Sequence, residues 1–184
     1  ISGLVACLAL LGAMEYRRRT GEGQYIDVSQ VEAMSSSLGS AILNYTVTGR
    51  PPEPAGNSSN KAAPHGVYRC RGEHRWCAIA VFNNEEWQGF RRALGNPSWT
   101  EDDRFATLSS RLEHADELDK LVEGWTMKYS AEEVMTSLQE QGVATGVVQD
   151  ASDLASNPQL KSRGFFTELD HPELGKTISD AAPI

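Results

Sequence analysis

Residues 50–66 most constrain how this chain can fold, because their composition excludes regular secondary structure over most of their length. Proline lacks the backbone N–H that helices and sheets use, and glycine loses more conformational entropy on ordering than any other residue. Both residue types flank a polar core that runs from Asn57 to Asn60. An irregular segment of about 15 residues in a compact chain is usually a functional loop or a linker. We predict both roles here, with a first unit at residues 1–49 and a second unit at residues 67–184.

The first unit reads as a helix, a strand and a second helix. Residues 3–19 are apolar on almost every face, which is typical of a helix buried on several sides. The cations Arg17, Arg18 and Arg19 suit the C-terminal end of that helix, and Gly21 suits its cap. Alternating polarity predicts a strand at residues 24–29, and apolar residues at helical spacing predict a helix from about residue 30 to Gly49.

The second unit mixes strands and helices. A β-hairpin is predicted from residues 67–71 and 76–82, and the next helix should be capped by Asn83 or Asn84. Ser130 and Glu133 have the spacing of a capping box. The fold class is therefore α/β, with an α+β second unit in which a few-stranded sheet packs on helices. The other predicted elements are a helix over 110–129, a strand over 143–148, short helices over 152–157 and 158–163, and a final hairpin from 165–169 and 176–178.

Charge and composition exclude several kinds of partner. The formal net charge of -8 argues against nucleic acid or an anionic membrane as the main partner, since both require a basic surface. The apolar run at residues 3–14 is shorter than the roughly 20 residues that span a bilayer. Cys7, Cys70 and Cys77 are too few for a disulfide framework, so we expect free thiols in a cytoplasmic protein.

Few residues offer recognisable chemistry. The chain contains no Gly-X-Ser-X-Gly motif, and its four histidines are too far apart in sequence to predict a metal site. The polar loop is the exception, because its amides, hydroxyls and ammonium group suit a carbonyl, a carboxylate or a thioester. A solvated linker explains the same composition. The candidate substrate-binding residues are Asn57, Ser58, Ser59, Asn60, Lys61 and His65.

A family resemblance makes this interpretation more specific. Residues 17–29, RRRTGEGQYIDVS, resemble the central signature of the class III coenzyme A transferases, which include formyl-CoA and carnitine-CoA transferases and α-methylacyl-CoA racemase. The resemblance extends over essentially the whole chain. Further matches follow in the same order at residues 63–68 (APHGVY), 76–81, 103–111, 141–143 and 157–160 (NPQL).

The resemblance implies an acyl-CoA-processing enzyme that uses coenzyme A as substrate and no metal. In this family an aspartate attacks the acyl-CoA thioester and gives a mixed anhydride, then an enzyme-bound CoA thioester. The resemblance places that aspartate just ahead of Ile1, so we expect no catalytic residue in this chain and no activity from it alone. It implies a structural role for Asp27. Residues 1–49 would be a remnant of the large Rossmann-like domain, residues 50–66 a linker and substrate loop, and residues 67–184 the small domain.

The resemblance also implies partners and leaves alternatives open. We expect an acyl-CoA and a carboxylic acid as substrates, and a homodimer as the assembly. A racemase or epimerase of the same superfamily would move the α-proton of an acyl-CoA and transfer no CoA. A non-catalytic dimerisation or ligand-binding module is the third interpretation, because an exposed apolar helix favours association.

Overall fold

The computed structural model describes residues 1–51 and 53–181, and the chain divides into two compact units, Ile1–Pro54 and Ala55–Ile184. The described part of the first unit contains helices α1 (Ser2–Thr20), α2 (Gln30–Ser35) and α3 (Gly39–Thr48). The predicted first helix and its cap are confirmed. Gly21 has φ 81°, and its N–H donates to the carbonyl oxygen of Arg17. Glycine adopts this left-handed conformation without the steric cost that a Cβ brings.

The prediction that α1 is buried on several sides is wrong within this chain. None of its residues is buried, and Leu4 and Leu8 are 75% and 72% exposed. A helix that is apolar on all faces needs partners on all faces. Within the first unit, α1 contacts α2, and the Ser2 hydroxyl donates to the carbonyl oxygen of Gln30.

The strand predicted at residues 24–29 is absent, and the helix predicted after it is broken. A strand requires hydrogen bonds from a neighbour, and the described residues of the first unit provide no second strand. The break between α2 and α3 follows from local chemistry. The hydroxyls of Ser36 and Ser37 donate to the carbonyl oxygens of Ala33 and Met34 and compete with continued helix formation.

The second unit is built on a three-stranded antiparallel sheet. Its strands are β1 (His65–Arg69), β2 (Trp76–Ala80) and β3 (Ala144–Val147), in the order β1-β2-β3. The predicted hairpin and the later strand are therefore confirmed, with shorter bounds. Directly paired residues lie on the same face of the sheet. Cys77 and Ile79 of β2 face the core and are buried.

Helices cover that buried face of the sheet. Trp87 and Phe90 stack on each other in the core, next to Leu118 and Val122. The described helices of this unit are α4 (Asn84–Ala93), α5 (Leu108–Glu113), α6 (Ala115–Thr126), α7 (Ala131–Gln139), α8 (Ala151–Ser156) and α9 (Pro158–Ser162). A separate hairpin, β4 (Phe166–His171) with β5 (Gly175–Asp180), confirms the last predicted element.

Local sequence signals set most of these boundaries. The Asn83 side chain accepts a hydrogen bond from the backbone N–H of Glu86, and Ser130 and Glu133 form the predicted capping box. One prediction fails, because the helix expected over 110–129 is interrupted at His114, where ψ is 27°. Two short 3₁₀ turns, Ser98–Glu101 and Asp103–Phe105, precede α5.

None of the described helices is long and apolar enough to cross a membrane. Within residues 1–51 and 53–181, no group of three or more His, Cys, Asp and Glu side chains is arranged to hold a metal ion. The fold class agrees with the expected one, because small antiparallel sheets accompany helices throughout the second unit.

Candidate functional site

The start of the polar loop is held next to the start of β1. The Nδ1 atom of His65 lies 2.7 Å from the carbonyl oxygen of Asn57. A carbonyl oxygen only accepts hydrogen bonds, so Nδ1 carries the proton and Nε2 of the neutral ring has the free lone pair. This contact brings Asn57, at the start of the loop, next to His65, the first residue of β1.

The structure brings only part of the predicted substrate-binding set together. Asn57, Ser58 and His65 line a cleft of about 390 Å³ beside β1 and α6. Ser59 lies further along the loop, where its hydroxyl accepts a hydrogen bond from the backbone N–H of Lys61. The predicted residues that do not line this cleft are Ser59, Asn60 and Lys61.

Carboxylates dominate the far wall of this first cleft, which we call the acidic cleft. Asp116, Asp119 and Glu123 line it together with a single cation, Lys120. The Tyr68 hydroxyl donates to Asp119 over 2.6 Å. Because like charges repel, this wall disfavours a carboxylate or phosphate ligand.

Burial has the largest effect on the pKa values of Tyr68 and Asp119. It raises the pKa of the Asp119 carboxyl, and the nearby charges of Asp116 and Glu123 act in the same direction, while the hydrogen bond from Tyr68 opposes them. Burial also raises the pKa of Tyr68 well above its ordinary value, with Asp119 adding to the effect. Tyr68 is therefore a fixed donor at neutral pH, which suits a structural link between β1 and α6.

A second cleft of about 360 Å³ lies over the sheet face opposite the core, and we call it the apolar cleft. Its floor consists of two cross-strand rows of mainly small residues. The first row is His65, Ala80 and Ala144, and the second is Val67, Ala78 and Gly146. Short side chains leave this face of the sheet open, and Asn57 and His65 provide polar groups at its edge.

The two buried cysteines of the second unit do not provide a nucleophile. All three are free thiols, and burial raises the pKa of Cys77 to about 12 and also raises that of Cys70. A thiol attacks as the thiolate, so both buried groups are inert at neutral pH. Cys7 is exposed on α1, in the other unit.

The arrangement joins a polar edge to a neutral, apolar floor. The Asn57 side-chain amide can donate a hydrogen bond to a carbonyl, and the Nε2 lone pair of the neutral His65 ring can accept one from a donor group. A short acyl chain can be buried against Ala78, Ala80 and Gly146. Sequence reasoning missed the floor and the acidic wall. Tyr68 and Asp119 are 51 positions apart, and β3 joins the sheet from a distant part of the sequence, so no local pattern identifies either group.

Comparisons with known proteins agree with this architecture. The model of the family described as CoA-transferase family III matches residues 1–184. The succinyl-CoA–D-citramalate CoA-transferase of Chloroflexus aurantiacus is 31% identical over 176 residues, covering 96% of this chain and 44% of that protein. The succinate–glutarate CoA-transferase of Agrobacterium fabrum is 26% identical, covering 92% and 42%.

A solved structure shares the fold. A CAIB/BAIF family protein from Brucella suis superimposes with a TM-score of 0.81 at 26% identity, and the match covers 100% of this chain and 50% of that one. The chain therefore spans about half the length of this structure, and somewhat less than half of the two curated relatives.

Proposed function

Because this chain belongs to CoA-transferase family III, we propose that it is part of an enzyme that transfers coenzyme A between carboxylic acids. The observation that carries the proposal is the polar edge at Asn57 and His65, which adjoins the apolar cleft. An acyl-CoA thioester complements this site, because its polar carbonyl matches the polar edge and its apolar acyl chain matches the apolar cleft. The substrate is the CoA thioester itself, and the reaction uses no metal.

The two clefts differ in charge, so they suit different parts of the substrate. The acidic cleft holds Asp116, Asp119 and Glu123, and so it repels the phosphates of CoA and the carboxylate of an acceptor. Among the described residues, those that line the apolar cleft include no Asp, Glu, Lys or Arg. We therefore assign the acyl group to the apolar cleft and the thioester carbonyl to the neighbourhood of Asn57, Ser58 and His65.

The proposed chemistry proceeds through an aspartyl-CoA thioester. An aspartate attacks the thioester carbonyl, CoA thiolate leaves, and the thiolate then opens the mixed anhydride and releases the first carboxylic acid. The second acid repeats these steps in reverse. The family resemblance assigns that aspartate to a position ahead of Ile1, so residues 1–184 alone are expected to be inactive.

The first substrates to test come from the relatives. Both enzymes described above carry succinyl-CoA or succinate in their names, with citramalate or glutarate as the other acid. We expect the full-length protein to move CoA from one acyl-CoA to one carboxylic acid of a panel, detected by mass spectrometry of the new thioester. The panel pairs the succinyl-CoA and C4 and C5 dicarboxylic acids of the relatives with short unsubstituted acyl-CoAs and monocarboxylic acids, because the apolar cleft favours an acyl chain without a terminal carboxylate. Residues 1–184 serve as the matched control without activity.

Two outcomes would contradict this proposal. Exchange of the α-proton of an acyl-CoA for solvent deuterium, with no CoA transfer to any acid, would favour a racemase. Turnover by residues 1–184 alone would contradict the assignment of the nucleophile to a position outside them.

We also propose a homodimer as the assembly. The family resemblance supports this assembly. The exposed apolar side chains of α1, including Leu4, Leu8 and Leu11, require a covering surface, which either the rest of the large domain or a second subunit would supply. Sedimentation equilibrium of the full-length protein tests this assembly, and a monomer at micromolar concentration would contradict it.

A further inference from the structure

Arg111 is a buried cation that lacks a buried counter-ion. It lies on α5 and is 0% exposed, and among the described residues no carboxylate is within ion-pair distance of its guanidinium. Its Nη2 atom has no hydrogen-bond partner there. Burying an unpaired charge is costly, so an arginine at such a position needs a compensating role.

The contacts of Arg111 indicate that role. Its Nε donates to the carbonyl oxygen of Ala63 over 2.8 Å, and its Nη1 donates to the carbonyl oxygen of Phe105 over 3.1 Å. The guanidinium carbon lies 4.6 Å from the centre of the Trp87 ring, which stabilises a cation through the ring quadrupole. Burial lowers the pKa of Arg111 to about 10, so the group remains charged at neutral pH.

Ala63 is the base of the polar loop. Its N–H donates to the carbonyl oxygen of Val81, and the N–H of Val81 donates to the carbonyl oxygen of Pro64. These bonds attach the end of the loop to the residue that follows β2. His65, two positions after Ala63, fixes the start of the loop through Asn57.

We propose that Arg111 is a positioning residue, which sets the location of Asn57 and His65 by joining the base of the loop to the 3₁₀ turn at Phe105. The planar guanidinium reaches two carbonyl oxygens from different segments at once, whereas a lysine ammonium at this position can satisfy only one of them well. The catalytic consequence rests on the proposed transferase function, but the effect on the loop does not.

The test compares three variants of the full-length protein. Arg111→Met removes both hydrogen bonds while keeping an apolar stem, and Arg111→Lys keeps the charge and one bond. Arg163→Met is the matched control, because Arg163 is an exposed arginine at the end of α9, outside the 3₁₀ turn and the lining of both clefts. Hydrogen exchange is measured for peptides covering residues 55–64 and, as an internal reference, residues 131–143.

We expect Arg111→Met to speed exchange of residues 55–64 by about tenfold or more relative to residues 131–143, because a local opening is no longer opposed by the two bonds. Arg111→Lys should fall between this variant and the wild type, and Arg163→Met should match the wild type. With a working transferase assay, kcat/KM of Arg111→Met should fall by about fivefold or more and recover partly in Arg111→Lys.

Two results would overturn the positioning role. One is unchanged exchange of residues 55–64 in both Arg111 variants. The other is hydrogen exchange in Arg111→Lys that speeds up equally in residues 55–64 and in residues 131–143. The Arg111→Lys variant decides the test if Arg111→Met does not fold. A loosened loop in a protein that transfers no CoA would leave the positioning role standing and contradict the proposed function.

Discussion

Replacing Gly89 with alanine is expected to destabilise the second unit by about 2 kcal/mol or more, because the added methyl group collides with backbone. Gly89 is buried in α4, and a Cβ built there would lie 2.2 Å from the carbonyl oxygen of Gln141 and 3.4 Å from Cγ2 of Val143. A backbone atom cannot rotate away as the end of a side chain can. The gain of up to about 1 kcal/mol in helix propensity offsets only part of the cost.

Gly124 is the matched control for this substitution. It lies within α6 and is exposed, and a Cβ added there would meet no atom within 4 Å. Alanine there should stabilise the unit by about 0.5–1 kcal/mol, since it restricts the unfolded chain and meets no clash. The two substitutions therefore have opposite signs although both exchange a helical glycine for alanine.

Urea unfolding followed by tryptophan fluorescence measures both effects. The four tryptophans of this chain all lie in the second unit. The midpoint should fall for Gly89→Ala and rise for Gly124→Ala at an unchanged m-value, which indicates a change in stability alone. A wild-type midpoint for Gly89→Ala would contradict the close packing of α4 against the residues that precede β3.

Replacing Gly146 with valine is expected to abolish most substrate binding while sparing the fold. Gly146 lies in the row with Val67 and Ala78, and a Cβ there meets no atom within 4 Å. A valine side chain would occupy the apolar cleft and exclude an acyl group. We expect kcat/KM to fall by about tenfold or more, equivalent to about 1.4 kcal/mol of lost transition-state stabilisation.

The control for Gly146→Val is Thr167→Val, which places the same side chain on the exposed strand β4, outside both clefts. Both variants should keep the wild-type unfolding midpoint or exceed it, because valine favours strands. Wild-type kcat/KM for Gly146→Val with the same acyl-CoA would contradict the assignment of the acyl group to the apolar cleft.

Local chemistry in the sequence predicted those parts of the fold that depend on neighbouring residues. The Asn83 cap, the capping box of Ser130 and Glu133, and the glycine ends of α1 and α3 are all of this kind, and all are confirmed. The strand predicted at residues 24–29 is absent because alternation does not supply a pairing partner. The same limit explains the exposed α1, since an apolar surface does not specify what covers it.

The candidate site was predictable only in its loop. Composition indicated residues 57–61, but only Asn57 and Ser58 of these residues line the acidic cleft. The rest of its lining comes from parts of the chain that are distant in sequence, such as Asp119 of α6. Gly146 reaches Ala78 through pairing of distant strands, and Arg111 reaches Ala63 across 48 positions. Such contacts depend on how the helices and the sheet pack together, and the spacing of residues along the sequence does not predict them.

Trapping the acyl-enzyme with hydroxylamine tests the central claim most directly, which is that the acyl-CoA is attacked by an aspartate from outside residues 1–184. The full-length protein is incubated with an acyl-CoA that it turns over and with hydroxylamine, then digested and analysed by mass spectrometry. We predict a hydroxamate on an aspartate that precedes Ile1 in the full-length protein, and none on an aspartate of residues 1–184. A hydroxamate on Asp27 or Asp119, or continued turnover with no trapped aspartate, would contradict the account.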